Sequence, residues 1–233
     1  MDVEECMRCR RSIRKYLSTP LSMDQIGRVL DAGRLAPTAG NLQNYKVILV
    51  RERAGIQKIA EAALQQYWIE TAPVILAIVA EPQRARQFYG ERGEKAYSIM
   101  NCATIAENMA LTAHAIGLAT CMVGAFDQDM MRAAVGAPDY VNVELILTLG
   151  YPDEKVPVPE RYKLTDMVFL ERWGARIANL DTSTRVWSTT VQKNLEKGKQ
   201  LFRRGSKTLF QQIQDRTLDV HDKVKQSLKQ RKR

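Results

Sequence analysis

With 233 residues, 45% of them apolar, the chain can bury a real core as one good-sized domain with an extension or as two small domains. Its longest apolar run, Pro73–Ala80, is strand-sized and far too short to cross a bilayer. The net charge of +9 belongs to one end: residues 1–180 carry 21 basic and 21 acidic side chains, residues 181–233 carry 14 and 5. Basicity therefore identifies no partner for the globular part. The opening Met1-Asp2-Val3-Glu4-Glu5 has no apolar signal core, so the expectation is a cytoplasmic protein.

In chain order, residues 3–17 read as a helix ending in the cluster Arg10-Arg11-Ser12-Ile13-Arg14. Ser22 with Gln25 three residues on is a capping box, opening a helix whose Ile26, Val29, Leu30 and Gly33 share a face. It stops at Ala36, because the residue before a proline is pushed out of the helical region. Lys46–Val50 is a short β-run, Ile56–Leu64 a helix, and Pro73 introduces the strand Val74–Ala80. Glu94–Ile116 is the longest helical stretch; apolar almost all round, it belongs at the centre of a core or at a subunit interface. Gly117 ends it, and Ala119–Val123 is a strand reaching Gly124. Asp127 caps a helix to Val135, and Val143–Leu149 is a strand closed by Gly150-Tyr151-Pro152. This alternation predicts an α/β or α+β domain ending near residue 178. From Asp181 onward Trp187, Val191, Leu195, Phe202 and Leu209 recur at mostly helical spacings among Lys, Arg and Gln, which reads as a basic amphipathic tail.

Two segments carry chemistry. Arg10–Arg14 packs three guanidinium groups and a hydroxyl into five residues, a donor set suited to a dianionic phosphate. Ala36-Pro37-Thr38-Ala39-Gly40-Asn41-Leu42-Gln43 is a turn-forming loop of small and amide side chains, suited to a flat hydrogen-bonding ring. Together they point to a phosphorylated aromatic cofactor, which flavin mononucleotide (FMN) fits best. Read singly, each has a plainer alternative: a solvated charge cluster, a connecting loop, ordinary loop charges at Arg161 and Lys163, a surface glutamine at Gln66, a turn at Val123-Gly124. His114 reads as a satisfied structural histidine. Cys6 and Cys9 have C-x-x-C spacing without a second pair, so no metal site is expected. No Gly-x-Gly-x-x-Gly, Walker loop, His-Glu-x-x-His or Gly-x-Ser-x-Gly is present, which argues against a dinucleotide site of the Rossmann kind.

The order of these pieces resembles the nitroreductase family of flavoenzymes over Val3 to Gly174, about three quarters of the chain. The matching motifs are Arg10–Tyr16, Ala36–Tyr45, Ala106–Gly124, and Leu149–Pro152 through Arg161-Tyr162-Lys163; Asn44-Tyr45 departs from the family's usual proline–tryptophan pair. The resemblance implies an α+β fold, a central mixed sheet wrapped by helices, as a homodimer with FMN in the cleft between subunits. The chain is thus expected to divide into an FMN-binding domain, residues 1–178, and a basic amphipathic helical extension, residues 179–233, which has no counterpart in the shared motifs. Arg10, Arg11, Ser12, Arg14, Arg161 and Lys163 would hold the phosphate. Pro37, Thr38 and Asn41 would reach the flavin of the other subunit, Gln66 would lie near the ring or ribityl chain, and the backbone at Val123-Gly124 would face flavin N5. The implied activity is hydride transfer from NADH or NADPH through N5 to a small acceptor, a nitroaromatic, quinone or similar molecule, in a ping-pong cycle. No side chain is assigned as catalyst. The alternatives are a non-enzymatic flavin-binding regulator and a flavin- or halide-processing member of the same fold. The tail is expected to pack on the partner subunit, with an anionic membrane as its second choice, and nucleic acid is not expected as a partner.

Overall fold

The computed structural model describes residues 2–177, so the basic extension expected over 179–233 lies outside the described residues. Contacts divide the chain into two compact units, residues 1–159 and the residues from Glu160 onward. In the first, four strands form one sheet: β1 (Tyr45–Val50), β2 (Val74–Ala80), β3 (Ala119–Val123) and β4 (Asn142–Gly150), in the order β1-β2-β4-β3. Seven consecutive apolar residues leave β2 no face for water, and it becomes the strand covered on both sides, each residue at most 2% exposed.

Alternation along β2 sorts the two halves of the core. Leu76 and Ile78 face one cluster with Ile26 and Val29 of α2 (Met23–Arg34) and Ile105 and Met109 of α5 (Ser98–Ala115). Ile75, Ala77 and Val79 face the other, with Ile56 and Ile59 of α3 (Arg53–Ala62) and Met131 of α6 (Gln128–Val135). Side chains such as Ile59, Ile75 and Ile146 are fully buried, each contributing about 1.5–3 kcal/mol. The pairing that fixes these faces includes Leu76 opposite Leu147 and Cys121 opposite Thr148. All four strands pair antiparallel; the parallel part of the expected mixed sheet is confined, among the described residues, to the bridge Ser12–Thr120.

The cap signals act as the sequence predicts. Both halves of the Ser22–Gln25 box form, and the Asp127 side chain accepts from the Met130 N–H at 2.8 Å. Two expectations need correction. The helix expected over 3–17 stops at Cys9: α1 is Val3–Cys9, and the chain then runs extended so that Ile13 and Tyr16 can enter a small cluster with Ala72 and Ala119. The helix expected from Glu94 begins at Ser98, preceded by a π-turn over Gly93–Tyr97. Before it stands a helix that periodicity did not reveal, α4 (Pro82–Arg92), with its proline in the first turn. Gly93 admits no side chain there, since a Cβ would lie 2.4 Å from the Ala85 carbonyl oxygen. In the second unit the described residues form α7 (Leu164–Met167), followed by a turn in which Phe169 bridges Arg176. No helix among the described residues is long and apolar enough to cross a membrane.

Candidate functional site

The arginine segment is positioned by backbone pairing. The Ile13 N–H donates to the Thr120 carbonyl at 3.0 Å, Leu17 N–H to the Tyr151 carbonyl at 3.0 Å, and Asp153 N–H to the Lys15 carbonyl at 2.9 Å. Residues 10–16 are thereby laid along the outer edge of β3 and then across the chain that leaves β4. Extended backbone sends successive side chains to opposite sides. The Arg14 guanidinium stacks 5.7 Å from the centre of the Trp68 ring, and burial pushes up the pKa of the Cys121 thiol on β3. Glu154 anchors the strip, its Oε1 accepting from the backbone N–H groups of Arg14 and Lys15.

A cavity of about 400 Å³ opens beside this strip, lined among others by Cys9, Arg10, Arg11, His114, Thr120 and Lys155. Arg10 Nε lies 3.6 Å from the Glu107 carboxylate, an ion pair just beyond hydrogen-bond reach. Arg11 spends Nη1 on the Arg8 and Arg10 carbonyls at 2.7 and 2.6 Å, which closes the C-terminal end of α1. The Nε atoms of both arginines and Nε2 of His114 are buried without a hydrogen-bond partner, and they are the three such side-chain atoms among the described residues. Native interiors rarely leave donors orphaned, because each costs about 1–3 kcal/mol, more for a charged group. Burial first, then Arg10 and Arg11, hold the His114 pKa below the usual histidine value. The reading of His114 as a satisfied structural histidine is therefore corrected: its Nε2 is unpaired.

The opposite end of β3 supplies the remaining elements. Gln66, just before a 3₁₀ turn at Tyr67–Thr71, donates from Nε2 to the carbonyls of Ala63 at 2.9 Å and Ala125 at 3.2 Å, and accepts from Trp68 Nε1 at 3.3 Å. It thus ties the end of α3 to the loop that follows Val123-Gly124. β3 is an edge strand. Since the Thr120 carbonyl points outward to Ile13, the alternation of peptide groups along the strand aims those of Met122 outward as well. Ser12 pairs the arginine segment with β3, contacts run from Arg14 through Trp68 to Gln66 and the loop after Gly124, and Arg10 and Arg11 line the cavity.

Pro37, Thr38 and Asn41 are not part of that strip. The Pro37 carbonyl accepts from Thr104 Oγ1 at 3.2 Å, the Ala39 N–H donates to Asn101 Oδ1 at 2.9 Å, and Thr38 Oγ1 accepts from Gln43 N–H at 3.2 Å. Gly40 and Asn41 both have φ near +55°, a left-handed conformation for which glycine and asparagine are suited. Beneath the loop the fully buried Asn44 accepts from Asn101 Nδ2 at 2.7 Å and donates to Ser98 Oγ at 3.0 Å, so the departure at Asn44 is a polar pin between loop and α5. Arg161 and Lys163 belong to the second unit, where both are exposed and Lys163 immediately precedes α7.

The sequence profile of the Nitroreductase family matches residues 7–70 and 61–151, more than half of the chain. This chain belongs to the nitroreductase family. By that membership it is an oxidoreductase. Among its relatives, the NADH dehydrogenase of Thermus thermophilus is 28% identical over 182 residues, covering 66% of this chain and 89% of the relative. The FMN reductase [NAD(P)H] of Bacillus subtilis is 29% identical over 159 residues, covering 62% and 64%. The crystal structure of a nitroreductase family protein from Clostridium difficile superposes with a TM-score of 0.65 at 29% identity, covering 74% of this chain and 99% of that one.

For a nitroreductase-family chain, the cations that line this cavity fit a phosphate. Arg10, Arg11 and Lys155 border a space of about 400 Å³ and carry the charge that a phosphate needs. Sequence reasoning passed over Trp68, which carries the Arg14 stack, and Glu107, which pairs with Arg10. No local signal marks either residue, because both contacts join elements far apart in the chain.

Proposed function

We propose that the protein is an FMN-dependent oxidoreductase acting between NADH or NADPH and a small electron acceptor, a nitroaromatic, quinone or similar molecule, each visiting the same site in turn. Bound FMN supplies the hydride chemistry at its N5; the protein supplies binding, orientation and electrostatics. The observation that carries this reading is the place of Arg10 and Arg11 on the lining of a cavity of about 400 Å³, next to the segment that pairs with β3. The name of the B. subtilis relative supports FMN and NAD(P)H as the pair of redox partners.

Arg10, Arg11, Ser12 and Arg14, joined by Arg161 and Lys163, would hold the phosphate. Gln66 and the backbone at Val123-Gly124 would border the ring. Pro37, Thr38 and Asn41 would serve the flavin of a second subunit. In support, their hydrogen bonds run to α5 and within the loop rather than to the arginine segment. A homodimer also accounts for Ile99 and Met100 on α5, which stand 51% and 56% exposed. Residues 1–178 would form the flavin domain in the cytoplasm. The apolar stripe of Trp187, Leu195, Phe202 and Leu209 supports a tail over 179–233 that packs on the partner subunit rather than on an anionic membrane.

The test is purification of the full chain without added flavin, with its visible spectrum and the flavin released on denaturation. The expected result is a yellow protein that releases FMN. A colourless protein that takes up no FMN on incubation would refute the proposal.

A further inference from the structure

Cys6 and Cys9 stand three residues apart on α1, and both are free thiols. Their environments are opposite. Cys9, the last residue of the helix, is exposed, whereas Cys6 is 3% exposed and is the one buried side chain of α1. Cys6 Sγ donates to the Leu111 carbonyl of α5 at 3.1 Å. We propose that the two form a redox pair: hydrogen peroxide oxidises Cys9, Cys6 resolves the product as a disulfide within α1, and the neighbouring arginine site loosens. The disulfide stands by itself; only its effect on flavin rests on the proposed function.

Residues three apart on a helix have Cα atoms about 5 Å from one another, within the span that a disulfide bridges. Their side chains share a face, and Cys6 feels the charge of a Cys9 thiolate. Cys9 sits where helices fray, so the last turn can tighten to bring the sulfurs together. The Cys9 sulfur attacks the peroxide O–O bond, becoming a sulfenic acid and releasing water. The Cys6 sulfur then attacks the sulfenic sulfur; the S–S bond forms, the S–O bond breaks, and the hydroxyl leaves as water with the Cys6 proton. Two thiols lose two electrons and two protons, and peroxide becomes two waters. Cys102 and Cys121 do not compete: they are 0% and 2% exposed, and burial pushes their thiols up, Cys102 to about 12. The consequence follows from what the turn holds. A disulfide sulfur has no proton for Leu111, so α1 loses the hydrogen bond of its one buried side chain. The Arg10 N–H donates to the Cys6 carbonyl at 2.9 Å, and Arg11 Nη1 donates to the Arg8 and Arg10 carbonyls, so the same turn sets both arginines on the cavity lining.

The full chain, reduced and freed of reductant, is treated with hydrogen peroxide; remaining thiols are alkylated and the peptides weighed. The expected product lacks two hydrogens across Cys6 and Cys9, leaves Cys102 and Cys121 as thiols, and reverts with dithiothreitol. Amides of residues 3–9 should exchange faster in the oxidised protein. FMN affinity, by equilibrium dialysis, should weaken at least about tenfold and recover on reduction. Cys6→Ala should stop at the Cys9 sulfenic acid, which dimedone traps. If that variant does not fold, the wild-type product and its reversal decide alone. Cys6 and Cys9 still thiols after peroxide, Cys9 driven to sulfinic acid beside a free Cys6, or a disulfide that leaves amide exchange unchanged overturns the proposal. Disulfide formation with faster exchange in a chain that takes up no FMN keeps this inference and sinks the flavin assignment. Tight FMN binding that peroxide leaves unchanged does the reverse.

Discussion

Tyr16→Phe tests how the arginine segment is held in place. The Tyr16 hydroxyl is buried, 2.5 Å from the Ile13 carbonyl oxygen and 2.6 Å from Thr148 Oγ1. Thr148 Oγ1 also accepts from the Cys121 N–H at 3.0 Å and lies 3.2 Å from the Cys121 carbonyl oxygen. Burial keeps the phenol protonated far above neutrality, so it is a neutral donor at all working pH values. Two hydroxyl protons thus serve the Ile13 carbonyl, the hydroxyl pair and the Cys121 carbonyl. Removing Oη leaves one proton, on Thr148, which can satisfy Cys121, and deprives the Ile13 carbonyl of its Tyr16 partner. The ring remains, so no cavity opens, and the cost is that of a buried unsatisfied acceptor, about 1–3 kcal/mol. At about 2–4 °C per kcal/mol for a domain of this size, Tm should fall by about 2–12 °C. Ser12 and Arg14 lie on the same stretch, so FMN retention should fall with it. Thr148→Val and the double variant complete a cycle whose coupling should exceed about 0.5 kcal/mol. A melt within about 1 °C of wild type, or strictly additive single variants, would refute this account of the anchor.

Arg11→Ala should weaken FMN binding by about 10- to 160-fold, the equivalent of one charge-assisted contact, with Lys163→Ala similar, as measured by equilibrium dialysis. Full flavin occupancy in both variants would move the phosphate elsewhere. Gly150→Ala would place a Cβ 2.7 Å from Pro73 Cδ and 2.8 Å from Tyr16 Cδ1, and should cost about 1–3 kcal/mol in urea denaturation. Desolvation raises the Glu144 carboxyl pKa in the folded state, against a smaller opposing effect of its Asn142 hydrogen bond. The folded form then binds the proton more tightly than the unfolded, so stability falls as pH rises from the unfolded value through the folded one. Glu144→Gln should therefore raise Tm at pH 7 and leave it unchanged at pH 4; an equal shift at both would contradict the assignment.

Where a single local device decides an element, the sequence revealed it: the Ser22–Gln25 box, the Asp127 cap, and the uninterrupted apolar run of β2. The segment 10–16 misled for a physical reason. Cys6, Cys9, Ile13 and Tyr16 recur at three and four residues like a helical stripe, while the decisive interactions are pairings with Thr120 and Pro152 more than a hundred residues away. α4 escaped because Pro82–Arg92 is polar with no stripe to read, its geometry set by Pro82, Gly90 and the tight seat of Gly93. Arg10, Arg11, Ser12 and Arg14 were singled out by residue type and order; the structure pairs Ser12 with β3, stacks Arg14 on Trp68 and puts Arg10 and Arg11 on the lining of a cavity. The surroundings of His114 were not legible, since a lone histidine on an apolar helix announces nothing until its neighbours Arg10 and Arg11 are known.

Anaerobic titration of the purified protein with NADH and, separately, NADPH, followed through the visible flavin spectrum, tests the central claim most directly. The account predicts that at least one of the two bleaches the bound flavin and that a nitroaromatic or quinone restores its colour. A protein that holds FMN yet leaves it oxidised under both nucleotides would contradict the assignment as an NAD(P)H oxidoreductase.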